Sequence, residues 1–382
     1  MLKRSFDFAR ITDRLQAEAI RRRHPLSCTL ELTYRCNFRC RMCYIRMTDG
    51  QAAAHGRLRT ADEWLDMGRQ LLRAGVLYLS LSGGECTLFP GFDRLYTGLA
   101  RMGFRISVMS NAAAYDDDLR DLFRRYPPAE AAVTLYGGCN RTYGAVTGDY
   151  EGFDRAMEGI RFFRSIGVPV LINFTMVRQN ALDYPLVSRV CGELGLSYTL
   201  ITDITDHRFG PALSQARECR LNAAQRALIG RCKPDEVGNA LEKADSLMER
   251  LEGFTPPAAD VKASAQQDLC IGGCSGCAIG WNGDMQTCVS LLGYKPVKPF
   301  QTGFDAAWAQ LRQRESETFL LPEACANCTM TAFCRHNCAG RRFEGTGSPL
   351  GPDSEQCRYA YLLNVLNTDD PEAPERPTPD CL

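Results

Sequence analysis

The placement of cysteine constrains this chain more than any other feature of its sequence. The 382 residues include 19 cysteines, and the basic N-terminus lacks the apolar segment of a secretory signal. Thiols in a reducing compartment more often bind metals or take part in catalysis than form disulfides, so we expect a cytoplasmic protein with metal sites. Twelve cysteines fall into three groups: Cys36, Cys40 and Cys43; Cys270, Cys274, Cys277 and Cys288; and Cys325, Cys328, Cys334, Cys338 and Cys357.

The composition argues against two classes of partner. Lysine and arginine number 45, aspartate and glutamate also number 45, and the formal net charge is zero. This balance gives no electrostatic basis for binding nucleic acid or an anionic membrane surface. No apolar run approaches the roughly 20 residues of a membrane-spanning helix. We therefore expect neither a nucleic acid nor a membrane as a partner.

The first two hundred residues alternate between strand-like and helix-like patterns, which predicts an α/β fold with a parallel sheet. Chemistry in such folds lies at the carboxyl ends of the strands. A Thr60–Glu63 capping box and a glycine after each of four helices support the predicted helix ends. The expected strands are residues 29–33, 76–82, 105–110, 131–136, 168–176 and 197–202, and the expected helices are residues 60–74, 91–102, 117–126, 150–166 and 184–194.

The rest of the chain changes in character along its length. Residues 205–269 are polar, with two helical stretches over residues 222–231 and 237–251, and suggest a bridge between domains. Helical periodicity is weak from residue 270 to 359, so we expect bound metal to hold this segment together. The predicted units are an N-terminal helical segment (1–27), a barrel (28–204), the bridge (205–269), a Cys-rich domain (270–362) and a disordered tail (363–382).

The first cysteine group follows the first predicted strand directly. Its spacing is Cys36-x3-Cys40-x2-Cys43, followed by Tyr44. Three thiolates on one loop can bind three irons of a 4Fe–4S cluster and leave the fourth iron open to a ligand. The alternative is a zinc site without its fourth ligand, although structural zinc sites favour four ligands in paired spacing.

This motif resembles that of the radical S-adenosylmethionine (SAM) superfamily. Gly83-Gly84-Glu85 ends the second predicted strand, where family members bind the methionine amino group of SAM. The resemblance implies further SAM contacts from Tyr44, from Ser110 and Asn111 after strand three, and from Thr134 on strand four. For Ser110, Asn111 and Thr134 taken singly, packing within the sheet is an equally good interpretation. The implied fold is a partial (β/α)6 TIM-like barrel with a small Cys-rich C-terminal iron–sulfur domain.

The C-terminal cysteines resemble the SPASM extension of radical SAM enzymes, which holds two auxiliary 4Fe–4S clusters. The resemblance implies that Cys325, Cys328, Cys334 and Cys357 bind one cluster. It assigns Cys277, Cys288 and Cys338 to the other, with Cys270 or Cys274 as the fourth ligand. The alternative is a zinc ribbon. Cys270-x3-Cys274-x2-Cys277 repeats the spacing of the first motif, but no strand and Gly-Gly-Glu sequence follow it.

The resemblance also implies the chemistry. SAM binds the open iron, an electron donor such as flavodoxin or ferredoxin reduces the cluster, and the resulting 5′-deoxyadenosyl radical abstracts a hydrogen atom from the substrate. The implied cofactors are SAM and three 4Fe–4S clusters. The non-enzymatic alternatives are an electron-transfer or redox-sensing iron–sulfur protein, which leaves the Gly-Gly-Glu motif unexplained, and a zinc-binding interaction protein.

SPASM relatives act mostly on polypeptides, so the expected substrate is a ribosomally made precursor peptide that receives a thioether or carbon–carbon crosslink. Sulfatase-maturing relatives carry an aspartate base where this chain has Val289, which weakens that alternative. A small-molecule dehydrogenase also stays open. About 27 residues precede the first strand, too few for a separate leader-binding domain. Candidate bases are Asp203, Asp206 and His207, although a structural role suits the histidine better.

Overall fold

A computed structural model describes most of the chain, namely residues 8–255, 263–266, 274–314, 319–326, 328–330, 333–334 and 338–369. Six parallel strands pair in their sequence order and form one side of an eight-stranded sheet. Sequential parallel pairing is the arrangement of a βα barrel. The six strands are β1 Ser27–Glu31, β2 Tyr78–Ser82, β3 Arg105–Ser110, β4 Glu130–Leu135, β5 Val170–Thr175 and β6 Tyr198–Ile201.

Helices lie between these strands and cover the sheet. The predicted capping box is present at α3, because the Thr60 hydroxyl accepts from the backbone of Glu63 and the Glu63 carboxylate accepts from that of Thr60. Gly75, Gly103 and Gly167 follow their helices with positive φ, as predicted. The helices up to β6 are α1 Phe8–Arg22, α2 Asp49–Ala52, α3 Ala61–Arg73, α4 Phe92–Arg101, α5 Asp117–Arg125, α6 Asn140–Thr147, α7 Gly152–Ser165 and α8 Tyr184–Glu193.

The region after β6 contains short helices that pack against the C-terminal helix. The predicted helix over 237–251 is two helices in the structure. Ala224, Leu247 and Leu362 belong to one small apolar core, so this region has a core of its own. The helices are α9 Ala216–Cys219, α10 Ala223–Ile229, α11 Val237–Glu242, α12 Ala244–Glu249 and, at the C-terminus, α17 Ser354–Asp369.

The predicted tail begins too early. Helix α17 continues to Asp369, and Val365 is buried in the small core. Residues 363–369 are therefore helical, because their apolar side chains pack against α10 and α12. The part of the predicted tail from residue 370 onward lies outside the described residues.

Part of the Cys-rich segment belongs to the barrel, which corrects the expectation that only metal holds it together. Strand β8 Gly276–Ile279 pairs in parallel with β1, and β9 Met285–Gln286 pairs antiparallel with β8. Ile279 and Trp308 lie in the same apolar core as the barrel helices. The other elements here are β7 Ala263–Gln266, α13 Pro299–Thr302, α14 Phe304–Gln313, β10 Leu320–Pro322, α15 Glu323–Ala326 and α16 Ala339–Thr346.

Helix α14 is anchored directly on the barrel. Its first backbone N–H, that of Phe304, donates to the Gln70 side chain of α3 at 2.8 Å. Trp64 of α3 packs edge-on against Phe300 of α13. Residues 276–313 are thus stabilised by apolar packing in the way an ordinary domain is. Within the described residues, no helix combines the length and the apolar composition that a bilayer crossing requires.

Candidate active site

A cavity of about 310 Å³ opens at the carboxyl edge of the parallel sheet. The side chains around it come from the loop after β1 and from the ends of β2 to β6. Every predicted catalytic or cofactor-binding residue lines this cavity except Glu85. These lining residues are Cys36, Cys40, Cys43, Tyr44, Gly83, Gly84, Ser110, Asn111 and Thr134.

The cysteine loop rests on the end of helix α6. The backbone N–H of Arg39 donates to the Thr147 carbonyl at 2.7 Å, and that of Arg41 donates to the Val146 carbonyl at 3.1 Å. The last carbonyls of a helix have no partner within the helix. The loop satisfies two of them and is held in place at the cavity wall.

The three thiols of the loop are half-buried, and two of them accept hydrogen bonds from backbone N–H groups. The Phe38 N–H donates to Cys36 Sγ at 3.4 Å, and the Arg46 N–H donates to Cys43 Sγ at 3.2 Å. Burial raises the pKa of all three cysteines, that of Cys36 to about 12. Such thiols become thiolates when a bound metal supplies compensating positive charge.

Two further side chains support this loop. The Asn111 amide donates to Asn37 Oδ1 at 2.7 Å and approaches Cys36 Sγ at 3.7 Å. The Tyr136 hydroxyl forms a hydrogen bond with Cys40, which lowers the pKa of that thiol against the larger effect of burial. Sequence reasoning assigned no role to Tyr136, which only the packing of β4 brings to the loop.

The three thiols line one cavity without converging on one point. Among the described residues, no group of three or more His, Cys, Asp or Glu side chains is arranged to hold a metal ion. Three cysteine donors around a cavity of this size instead suit a multinuclear 4Fe–4S cluster with one iron open. The donor set therefore fits the cluster that the sequence implies.

The glycine pair is required by close approach of two backbone segments. A Cβ on Gly83, which has φ +140°, would lie 2.5 Å from the Thr33 carbonyl oxygen, and one on Gly84 would overlap the Arg35 backbone. The Gly84 N–H donates to the Thr33 carbonyl at 2.6 Å, and the Glu85 N–H donates to that of Arg35 at 2.8 Å. The pair thus joins the end of β2 to the start of the cysteine loop.

Glu85 lies behind the residues that line the cavity, and its expected contact with the SAM ammonium stays a prediction. Its carboxylate is buried and accepts hydrogen bonds from the Ser110 hydroxyl at 2.9 Å, the Asn111 N–H at 2.9 Å and the Thr87 hydroxyl at 2.8 Å. Two of these donors bind Oε1 and the third binds Oε2. The side chain therefore positions the residues after β3.

Tyr44 stands between the first cavity and a second one. Its hydroxyl donates to Glu31 Oε1 at 3.1 Å. The same buried carboxylate binds Arg208 through two nitrogens at 2.5 and 2.8 Å, and the Arg208 guanidinium lies 5.3 Å from the Tyr44 ring centre. This bidentate ion pair fixes the end of the cysteine loop against the segment after β6.

The second cavity has a volume of about 490 Å³ and shares Tyr44 and Thr205 with the first. One wall comes from the segment after β6, and the opposite wall comes from residues 289–293 and the end of α16. Glu344 of α16 lies in this wall. Sequence reasoning did not find Glu344, because no local motif marks it and 139 positions separate it from Thr205.

The three predicted base candidates are all engaged with partners. Asp203 pairs with Arg226 and Arg341, and Asp206 pairs with two arginines of the same segment. His207 is buried, with Nδ1 accepting from the Phe209 N–H at 3.2 Å and Nε2 facing the Arg46 carbonyl at 3.3 Å. Burial lowers the pKa of His207, so a neutral, structural histidine accounts for these contacts.

Four of the C-terminal cysteines lie near one another. Burial raises the pKa of Cys357 to about 12, and the charges of Cys325, Cys334 and Cys328 raise it further. The buried Arg342 guanidinium interacts with Cys325, Cys338 and Cys334. A cation at this position would stabilise thiolates and a negatively charged cluster.

The second predicted auxiliary set is divided. Cys288 packs against an apolar cluster that includes Ala339, the residue after Cys338. Cys288 and Cys338 therefore both lie next to this cluster. Cys274 is buried, and Cys270 lies outside the described residues.

Cys277 lies on β8 in the barrel, where its burial favours a structural role over the predicted role beside Cys288 and Cys338. It sits on β8 directly opposite Cys28 of β1, and both thiols belong to the main apolar core. The Cys277 thiol donates to the Ser27 carbonyl at 3.7 Å. Pairing of β8 with β1, which no sequence motif signals, determines this position.

The fold and site define the class of the protein: an α/β partial barrel with a thiol-lined cavity at the carboxyl edge of its strands. The model of the radical SAM superfamily matches residues 30–183, which span β1 to the start of α8. These residues, less than half of the chain, are similar to the radical SAM superfamily.

Two sets of curated relatives match part of the chain. The sporulation killing factor maturation protein SkfB of Bacillus subtilis is 26% identical over 171 residues, which cover 45% of this chain and 40% of that protein. A probable GTP 3′,8-cyclase of Saccharolobus islandicus is 28% identical over 152 residues, or 40% of this chain and 48% of that protein. The chain thus spans less than half the length of the curated relatives it matches.

Solved structures share the fold over most of the chain. Streptococcus suis SuiB bound to precursor peptide SuiA has a TM-score of 0.61 at 15% identity, covering 91% of this chain and 80% of that one. Native anSMEcpe with bound AdoMet has a TM-score of 0.58 at 16% identity, covering 91% and 100%. The radical SAM partial barrel of these proteins is the fold of this chain.

Proposed function

We propose that the chain is a radical SAM peptide maturase. The observation that carries the proposal is the convergence of three cysteines, a glycine pair and Asn111 on one cavity within the radical SAM domain. The adjoining second cavity gives the substrate a place beside the cofactors, and its larger volume suits a segment of a polypeptide.

Three residues would hold the 4Fe–4S cluster, and six would bind SAM. Cys36, Cys40 and Cys43 are the cluster ligands. With both cofactors bound, the site would supply a 5′-deoxyadenosyl radical that removes a hydrogen atom from the substrate. The residues of the cavity orient SAM and keep water from the reacting carbon. The proposed SAM contacts are Tyr44, Gly83, Gly84, Ser110, Asn111 and Thr134.

The C-terminal cysteines would hold two auxiliary 4Fe–4S clusters, for a total of three. Their mutual proximity supports Cys325, Cys328, Cys334 and Cys357 as one ligand set. Because Cys277 lies in the barrel core, we assign the other set to the remaining cysteines of the second group and Cys338. These ligands are Cys270, Cys274, Cys288 and Cys338.

The proposed substrate is a ribosomal precursor peptide, and the proposed bond is a thioether to a peptide cysteine. Two comparisons support a peptide. SkfB is a maturation protein of the sporulation killing factor, and SuiB has been crystallised with its precursor peptide. An electron donor such as flavodoxin or ferredoxin would reduce the first cluster, and the reaction would take place in the cytoplasm.

A small-molecule substrate is the second candidate, because a probable GTP 3′,8-cyclase is also similar to this chain, at 28% identity over 152 residues. Co-expression of the chain with short Cys-rich peptides from neighbouring genes distinguishes the two. The expected product weighs two hydrogens less per crosslink, and a Cys→Ala change in the peptide abolishes it. SAM cleavage stimulated only by a nucleotide or another small metabolite would contradict the peptide proposal.

A further inference from the structure

Glu344 lies in the wall of the second cavity. The arginines near it are paired with other carboxylates. It projects from the last turn of α16, and the residue is half-buried. Its Oε2 atom is fully shielded from solvent and has no hydrogen-bond partner among the described residues. A buried oxygen without a donor is costly unless a ligand supplies one.

The charges around Glu344 explain why no arginine pairs with it. Arg208 and Arg341 are the closest cations. Arg208 is bound by Glu31 through both of its terminal nitrogens, and Arg341 is paired with Asp203. Each arginine is thus already neutralised by another carboxylate.

The protonation state of Glu344 follows from these surroundings. Burial raises the pKa of Glu344 to about 7, Asp203 adds to the rise, and Arg341, Arg208 and the Thr205 hydroxyl oppose it. A carboxyl group with a pKa near the working pH can both take up and release a proton, which is the property of an efficient acid–base group.

The other titratable groups that face the second cavity are already engaged. The Tyr44 hydroxyl donates to Glu31, and both ring nitrogens of His207 contact backbone groups. Asp206 is bound by Arg217 at 2.8 Å and by Arg220 at 3.2 Å. Among the described residues that line this cavity, Glu344 is the acidic side chain that no arginine pairs with.

The cavity connects Glu344 with the chemistry proposed above. Tyr44 and Thr205 line both cavities, and Thr205 also lies against the Glu344 carboxyl group. Val289, at the position where sulfatase-maturing relatives carry their aspartate, lines the same cavity and offers no titratable group. Glycines leave room for an extended chain along the walls, at Gly210, Gly293, Gly345 and Gly347.

We infer that Glu344 is a catalytic residue that contacts a polypeptide substrate and takes a proton from a heteroatom donor of that substrate. In the thioether reaction this donor is the cysteine thiol. The S–H bond breaks, an O–H bond forms at the Glu344 carboxylate, and the electron pair stays on the sulfur, which becomes a thiolate. This inference rests on the proposed function, because the thiol belongs to its substrate.

The first test measures the carboxyl group without any substrate. The reconstituted chain is treated with dicyclohexylcarbodiimide, which reacts with protonated carboxyl groups in apolar surroundings, and the adducts are mapped by mass spectrometry. We expect an adduct on Glu344 whose yield falls as the pH rises through about 7, because only the protonated acid reacts. No adduct on Glu344 between pH 5 and pH 8 would overturn the inference.

The second test uses the peptide that gives a product on co-expression. Glu344→Gln should slow peptide modification about 100-fold, the usual size of an acid–base contribution, and Glu344→Asp should restore part of the rate and the pH dependence. Deoxyadenosine release without peptide should stay within about twofold, because SAM is cleaved in the first cavity. Glu355→Gln, which removes the same charge from α17 outside both cavities, is the matched control.

The outcomes separate this inference from the proposed function. If the Glu344→Gln variant modified the peptide at the parent rate and with the parent pH profile, the role of Glu344 would be overturned. The proposed radical chemistry would not be affected by that result. A parent chain that releases no deoxyadenosine would overturn the proposed function, whatever the labelling of Glu344 shows.

Discussion

Glu85 organises the wall of the first cavity without entering it. Three hydrogen-bond donors from Thr87, Ser110 and Asn111 converge on its buried carboxylate. The Asn111 amide in turn contacts the cysteine loop through Asn37 and Cys36. The second strand, the third strand and the loop are thus linked through one acidic side chain, and SAM affinity should depend on it indirectly.

Glu85→Gln is expected to destabilise the fold and to weaken SAM binding together. The amide can accept only at its oxygen, so one buried donor loses its partner, at a cost of about 1–3 kcal/mol. Urea denaturation reports the stability, and calorimetry reports the SAM affinity, which should fall about tenfold. The control is Glu130→Gln at the amino end of β4. Lost SAM affinity with unchanged stability would instead indicate direct contact with the ammonium.

Cys277→Ala should leave all of the bound iron in place. Its thiol lies in the barrel core opposite Cys28, so the change costs about 1 kcal/mol of stability and no cluster. Cys357→Ala should remove about four irons of roughly twelve per chain. Iron and sulfide analysis after anaerobic reconstitution measures both. Loss of four irons from Cys277→Ala would return this residue to the auxiliary ligands.

Among the secondary-structure elements, α6 shows why a helix can be missed in a sequence. Its segment Asn140–Thr147 has no continuous apolar stripe, and Gly144 leaves space that the Tyr150 ring fills. The helix is stabilised from outside, by burial of Tyr143 and by the cysteine loop bound to its last carbonyls. Local periodicity cannot reveal a helix whose partners are distant in sequence.

The residues of the site also divide into those marked by a local sequence motif and those placed by contacts between distant segments. Cys36, Gly83 and Asn111 lie within or beside short contiguous motifs, so their shared edge of the sheet could be predicted. Cys277 and Glu344 depend on which segments pack on β1 and on the barrel mouth. Those contacts join residues more than a hundred positions apart, and no short pattern encodes them.

Helix α7 packs closely against the loop that follows β3. Gly159 faces the Ala112 carbonyl so closely that any added Cβ would overlap it, and Ala112 follows Asn111 in a left-handed conformation with φ 56°. Gly159→Ala should therefore cost about 1–3 kcal/mol and weaken SAM binding, because α7 must move away from this loop. Thermal unfolding and calorimetry measure the two effects.

Gly192→Ala is the matched control on α8. Nothing lies within 4 Å of its Cβ position, so this change should stabilise the chain by about 0.4–1 kcal/mol through the unfolded state. If Gly159→Ala and Gly192→Ala lowered the stability equally, glycine would be needed for helix geometry in general. No specific contact with the Ala112 loop would then be involved.

At the scale of the whole molecule, the Cys-rich segment divides into two parts. Residues 276–313 share the barrel core, whereas Cys325 lies in the four-residue helix α15, and Cys328 and Cys334 lie outside helices and strands. We expect the second part to depend on bound iron for its order and the first part to be independent of it.

Limited proteolysis after aerobic cluster loss tests this division. Cleavage should appear in the segment that carries Cys325, Cys328 and Cys334 and should be absent from β8 and α14, which the barrel core protects. Mass spectrometry of the fragments locates the cuts. Equal resistance of both parts with and without iron would show that apolar packing stabilises the second part as well.

The central claim is that the cavity at the carboxyl edge of the sheet binds a 4Fe–4S cluster and SAM and cleaves SAM reductively. Its most direct test is 5′-deoxyadenosine release by the anaerobically reconstituted, dithionite-reduced chain. The parent should release deoxyadenosine and methionine in equal amounts. A variant with Cys36, Cys40 and Cys43 changed to alanine should lose about four irons and all release. Release at the parent rate from this variant, or tightly bound zinc with little sulfide in the parent, would contradict the account.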